Sequence, residues 1–187
     1  SGMKRHIGVS AICLVVSASL LTEAQTAQTS PGAGPVIVVA TTNGTFEFET
    51  YPNEAPKTVG HIITLVEQGF YNGLRVHRVI KDGLVQFGDP QTRDIRNRDQ
   101  WGAGPAAGSG RSIGIAEINS KRPHKRGTVG MAHRGNPAEA DSQIYILIKP
   151  RPDLNSNYTV VGQVISGMNV VERIEELDIV QQVTVRP

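Results

Sequence analysis

The sequence holds one cysteine, Cys13, set in an apolar run near the start of the chain. A single thiol closes no disulfide within the chain and cannot build a cysteine-based metal site. The five histidines show no short pairing and no accompanying carboxylate pattern, so neither a metal site nor any other cofactor is expected. Excess charge is also lacking. Nineteen Lys and Arg against 17 Asp and Glu leave a net of +2, too little to argue for a nucleic-acid partner. The longest apolar run, Ile7 to Leu21, is short for a bilayer span. "GAGPAAGSG" at 102–110 has no Gly-Lys-Ser/Thr and no strand-to-helix context, so it reads as a turn and not as a phosphate loop.

What is present describes one soluble globular domain with an appendage. Of 187 residues, 39% are hydrophobic and 19% charged, and 20 Gly with 11 Pro promise many turns between short strands. Ser1-Gly2 ahead of Met3 reads as a cloning scar. Lys4-Arg5-His6, the apolar run and the small residues Thr22 and Ala24 then read as a secretory signal peptide ending near Ala24. Residues 1–24 are therefore assigned to scar and signal, 25–35 to a flexible lead-in and 36–187 to the domain. An exported protein, periplasmic or secreted, is expected, and its mature chain has no cysteine.

"PVIVVATTNGTFEFETYP" reads as a hairpin around Asn43-Gly44, with Phe46 and Phe48 on its buried face. "NEAPKTVGHIITLVEQGF" reads as a helix with Pro56 in its first turn, Val59, Ile62, Ile63 and Val66 on one face, and Gly69 past its end. Short apolar runs follow at 74–80, 84–87, 113–118, 128–132, 143–148 and 159–165. A second helix is expected from about Ser166, with Val170, Val171, Ile174 and Leu177 on one face, and then a last strand, "DIVQQVTVRP". About eight strands and two helices without regular β-α alternation point to a mainly β fold: a closed antiparallel eight-stranded barrel with helices over its ends. Residues 91–126 are the least regular part and carry eight Arg and Lys. They read as a solvated basic loop, with an acidic partner surface as the sharper alternative.

"FYNGLRVHRVIKDGLVQFGDP" sets Arg78 and Gln86 among hydrophobes. A cation placed there either reaches water at the edge of a core or has a task in an apolar pocket. This stretch, "RGTVGMAHRGNPAEADSQIYILI" and "YTVVGQVISGMNVVERI" occur in an order and spacing that resemble the cyclophilins, the peptidyl-prolyl cis-trans isomerases built on an eight-stranded barrel with two helices. The resemblance covers about residues 36–187 and looks most like the bacterial exported branch.

By that resemblance, Arg78 is the catalytic arginine, with His77 before it as a structural hydrogen-bonding residue and Gln86 as the catalytic partner. Substrate binding falls to Leu84, Met131, Ala132, His133, Gln143, Tyr145, Leu154 and Tyr158. The implied partners are proline-containing polypeptides, and the chain is expected to be a monomer. The sequence also departs from the family pattern. Gly83 stands where a pocket aromatic is expected, His133 replaces an asparagine, and Phe87 replaces a glycine. Asp153 stands where a tryptophan is common, which implies weak cyclosporin binding. Two readings therefore stay open: an active isomerase assisting exported chains, or a weakly active module that grips proline segments in the same groove.

Overall fold

In the computed structural model, residues 33–186 are described; the expected scar, signal peptide and most of the lead-in lie outside them. Nine strands are present among the described residues: β1 (Val36–Thr41), β2 (Gly44–Thr50), β3 (Leu74–Arg75), β4 (Arg78–Ile80), β5 (Leu84–Phe87), β6 (Thr128–Met131), β7 (Ile144–Leu147), β8 (Val160–Ser166) and β9 (Ile179–Arg186). All pair antiparallel in one curled sheet of order β3-β9-β1-β2-β8-β6-β7-β5-β4.

The expected closed eight-stranded barrel needs correction. The run at 74–80 is not one strand, because it breaks at Val76-His77 and sends β3 to one end of the ladder and β4 to the other. Val76 N–H donates to Asp178 on the β9 side, while His77 N–H donates to Gln86 on the β5 side. Chain continuity, not a ladder, joins the two ends of the sheet.

The β1–β2 hairpin follows from its sequence. Thr41 pairs with Gly44, whose φ of +123° suits a residue without Cβ. Phe46 and Phe48 are almost wholly buried in the main core. Helix α1 (Pro56–Glu67) starts on Pro56, whose missing N–H is no loss at that position. The next two backbone N–H groups, of Lys57 and Thr58, donate to the Glu117 carboxylate, which also receives the Thr58 hydroxyl. Val59, Ile62, Leu65 and Val66 of this helix enter the core.

Helix α2 is a single turn, Met168–Val171. Val170, Val171 and Ile174 are buried as expected, but Leu177 is not. It takes a positive φ of 77° that turns its side chain outward while its N–H reaches Val76 O. The apolar run at 113–118 forms no strand; Ile113 and Gly114 only donate to Ala140 and Ala138.

The basic stretch 91–126 is largely held by its own ion pairs. Arg96 pairs with Asp94, Arg98 with Glu176, and Arg126 with Glu172. Arg122 grips Glu54 through two short bonds while its guanidinium lies 3.9 Å over the Tyr51 ring. Arg122 thereby ties the irregular segment to the turn before α1, and Arg98 and Arg126 tie it to the stretch after α2.

Candidate active site

The β4–β5 register sets Arg78 opposite Gln86 and Ile80 opposite Leu84. Next to it, β5–β7 sets Gln86 opposite Tyr145 and Leu84 opposite Leu147. Side chains alternate across a strand, and Val85, Ile144 and Ile146 belong to the main core. Arg78, Ile80, Leu84, Gln86, Tyr145 and Leu147 therefore share the face turned away from that core. Of the two readings open for Arg78, this face fits the one in which the cation reaches water. Val76, Val85 and Phe87 turn into the core, while Arg78 is exposed on the opposite face.

A polar line starts at Arg78. Its Nη1 donates to Gln86 Oε1 at 3.2 Å. Gln86 Nε2 in turn donates to Gln143 Oε1 at 2.8 Å, and Gln143 Nε2 donates to Ala107 O at 2.9 Å. His77 Nε2 lies 3.1 Å from the same Gln143 oxygen. An amide oxygen only accepts, so His77 carries its proton on Nε2. Its Nδ1 is then a bare lone pair, buried with no partner among the described residues. Burial lowers the pKa of His77, the Asp89 carboxylate opposing, so the ring is neutral near pH 7.

Two carboxylates that could have neutralised Arg78 are engaged elsewhere. Asp89 accepts from Gln91 and from Gly102 N–H, pinning the loop after β5. Glu117 caps α1.

Beside this line lies a second apolar cluster, separate from the main core: Leu84, Tyr145 and Leu147, with Ala132, Leu154 and Tyr158 packed against them. The structure thus brings together Leu84, Ala132, Tyr145, Leu154 and Tyr158 as expected, with Gln86 and Gln143 along one edge. His133 stacks on Tyr158, ring centroids 4.3 Å apart, and its Nε2 lies 2.7 Å from Asn157 O. It is a rim residue.

Met131 does not belong to this set. It is fully buried in the main core, because alternation along β6 sends Val129 and Met131 inward and leaves Gly130 on the site face. On the far side of the glutamines a groove of about 290 Å³ opens between Gly102, Ala107, Ala132 and His133.

Tyr145 forms the floor of the apolar cluster. Its ring lies so close over β6 that a Cβ at Gly130 would fall 2.3 Å from its Cζ and Oη. The Tyr158 ring meets it edge-on at 5.8 Å between centroids. The Tyr145 hydroxyl lies 2.7 Å from Nε2 of the buried His124, and burial raises the Tyr145 pKa well above the ordinary tyrosine value.

Gly130, His124 and Ile80 were not among the expected site residues. Ile80 was legible, being two residues after Arg78 on a strand. A Cβ at Gly83, where an aromatic was expected, would lie 2.8 Å from Ile80 Cγ2. Ile80 itself is exposed, and its side chain stands beside the position of the absent aromatic.

Three comparisons bear on this arrangement. Residues 36–187 match the family model described as cyclophilin type peptidyl-prolyl cis-trans isomerase/CLD. A probable peptidyl-prolyl cis-trans isomerase of Brucella abortus is 39% identical over 153 residues, covering 80% of this chain and 76% of the relative. Peptidyl-prolyl cis-trans isomerase B of Bacillus subtilis is 35% identical over 139 residues, 74% of this chain and 89% of its own. Among solved structures, a Cryptosporidium parvum cyclophilin type isomerase in the presence of the dipeptide Ala-Pro superposes with a TM-score of 0.68 at 25% identity, over 81% of this chain and 99% of that one.

Proposed function

The chain belongs to the cyclophilin-type peptidyl-prolyl cis-trans isomerases, and from that premise we propose that Arg78, Gln86 and Gln143 act with the adjoining apolar cluster to turn X–Pro bonds. The enzyme is a peptidyl-prolyl cis-trans isomerase. Rotation about an X–Pro amide must break resonance worth a barrier of about 18–20 kcal/mol, and the uncatalysed exchange takes roughly tens to hundreds of seconds. No bond is made, so no nucleophile, base or metal is required. The twisted amide regains a lone pair on nitrogen, and a donor aimed there stabilises that geometry alone.

Arg78 is the donor in this reading. Its guanidinium stays charged and offers several N–H groups, of which one is held by Gln86. Gln86 and Gln143 fix its position and present the substrate backbone with an amide edge. The pyrrolidine ring enters the hollow of Leu84, Ala132, Tyr145, Leu154 and Tyr158, with Ile80 closing the side left open at Gly83. The groove by Gly102 and Ala107 takes the neighbouring part of the chain. One observation carries the reading: a cation held by a neutral amide, not by a carboxylate, at the rim of an apolar hollow. Such a cation is uncommitted in charge and free to donate to an uncharged nitrogen.

The experiment is to add catalytic amounts of the protein to a peptide whose cis and trans X–Pro signals are resolved by NMR. Accelerated exchange is expected. Binding without added exchange would instead identify a module that grips proline segments, the reading that Gly83 and Asp153 favour.

The role in folding exported proteins, in the periplasm or outside the cell, rests on Lys4-Arg5-His6, the run to Leu21 and Ala24. Weak cyclosporin binding is supported by Asp153, which is exposed and held in a two-point bond by Arg151, giving the rim a charged pair in place of an indole.

A further inference from the structure

The strongest unexplained feature beside the site is a buried histidine tied to the floor of the apolar hollow and to the residue next to one of its walls. His124 is 2% exposed. Asn155 Oδ1 accepts from His124 N–H at 2.8 Å and lies 3.1 Å from its Nδ1. Since that oxygen only accepts, the ring proton sits on Nδ1, and Nε2 is left to accept from the Tyr145 hydroxyl at 2.7 Å. One neutral tautomer therefore satisfies both ring nitrogens of His124 and the Tyr145 hydroxyl. Tyr145 is the floor of the hollow, and Asn155 follows Leu154, another of its walls. The rings of His124 and Tyr145 are also nearly parallel, 22° apart at 6.0 Å between centroids.

We propose that His124 is a positioning residue of the isomerase: through Tyr145 and Asn155 it sets the spacing of the floor and the Leu154 wall between which the proline ring is held. The inference rests on the reading of that hollow as the proline site. His124 touches no substrate. It acts by keeping a buried hydroxyl pointed into β6–β7 and away from the ring that enters above it. A tyrosine rather than a phenylalanine at this position needs such a partner, because a buried hydroxyl without an acceptor is destabilising.

A pH dependence follows. Protonation puts a second N–H on His124, so Nε2 can no longer accept from Tyr145. Burial lowers the pKa of His124; the Asn155 hydrogen bond and Asp153 oppose the shift, and Arg151 reinforces it. The charged or titratable groups facing it are thus Tyr145 from β7 and Arg151 and Asp153 from the segment that follows, with Tyr158 behind Tyr145. As pH falls through this depressed value, KM is expected to rise while kcat holds.

The test is a cycle of His124→Leu, Tyr145→Phe and the double variant. It is read as the dissociation constant of a proline peptide by NMR titration, as KM and kcat separately, and as the denaturant midpoint. His124→Leu alone strands the hydroxyl, and about a tenfold weaker peptide affinity is expected. In the Tyr145→Phe background the same change is expected to cost little, because no hydroxyl remains to be held. The acid rise in KM should likewise vanish in that background. An equal loss of affinity or of fold in both backgrounds, or a KM that stays flat while the His124 ring signals titrate, would overturn the proposal. If the unaltered chain binds proline peptides but does not accelerate exchange, the enzymatic reading fails while the cycle in affinity still decides this one.

Discussion

Replacing Gln143 with leucine is the most informative test of the wiring behind Arg78. Leucine keeps most of the volume, so little cavity is made, but three hydrogen bonds disappear: those from Gln86 Nε2 and His77 Nε2, and the one to Ala107 O. A buried group left unsatisfied costs about 1–3 kcal/mol, and a typical net bond about 1 kcal/mol. His77 is the expensive member, because its Nδ1 already lacks a partner and its Nε2–H would lose its own. Gln86 and Ala107 border the groove, where water can replace part of what they lose. The sum is a destabilisation of about 2 kcal/mol, equivalent to roughly 4–8 °C in Tm for a chain of this size. Catalysis should suffer too, since Gln86 loses the anchor that orients it toward Arg78. About a tenfold fall in kcat is expected from the loosened donor. Urea unfolding gives the first quantity and NMR cis–trans exchange the second. An unchanged midpoint together with an unchanged kcat would show that the glutamines do not organise the site, and the account of Arg78's placement would have to be abandoned.

Other consequences can be checked alongside. Gly130→Ala puts a Cβ 2.3 Å from the Tyr145 ring; crowding of this kind costs about 1–3 kcal/mol, and both stability and proline-peptide affinity should drop together. Ile80→Ala should raise KM several-fold with a change in stability below about 0.5 kcal/mol, because the side chain is exposed; an unaltered KM would remove it from the site. His77 and His124 both have depressed pKa values in the folded chain, so the unfolded chain binds more protons just below the ordinary histidine value of about 6.5. Stability is thus fully present above that pH and falls as pH drops through the folded values, and urea titrations between pH 7.5 and 5 should show that loss.

Much of the site was legible through the resemblance. Its motifs named Arg78, Gln86, Gln143 and Tyr145, and the β4–β5 and β5–β7 registers, with the Gln86–Gln143 hydrogen bond, bring them side by side. What failed was the side of the sheet. The resemblance implied a Met131 wall, and the apolar neighbours of Arg78 left open whether it reached water, whereas alternation places Arg78 outside and Met131 in the main core. The kink at Val76-His77 was invisible because an apolar run says nothing about which ladder each half joins. The His124–Tyr145 contact was equally hidden, since it joins a loop to a strand and depends on Gly130 letting the ring lie flat. The second helix was overextended because Leu177 continued its apolar spacing, although a left-handed backbone turns that residue outward.

The most direct measurement is of Arg78→Ala, comparing the dissociation constant for a proline peptide with kcat for its exchange. A charged hydrogen bond formed only at the twisted nitrogen contributes about 1.5–3 kcal/mol, so kcat should fall roughly ten- to a hundred-fold while the dissociation constant moves little. If kcat survives the substitution, or falls only in proportion to lost binding, the guanidinium is not what lowers the rotational barrier.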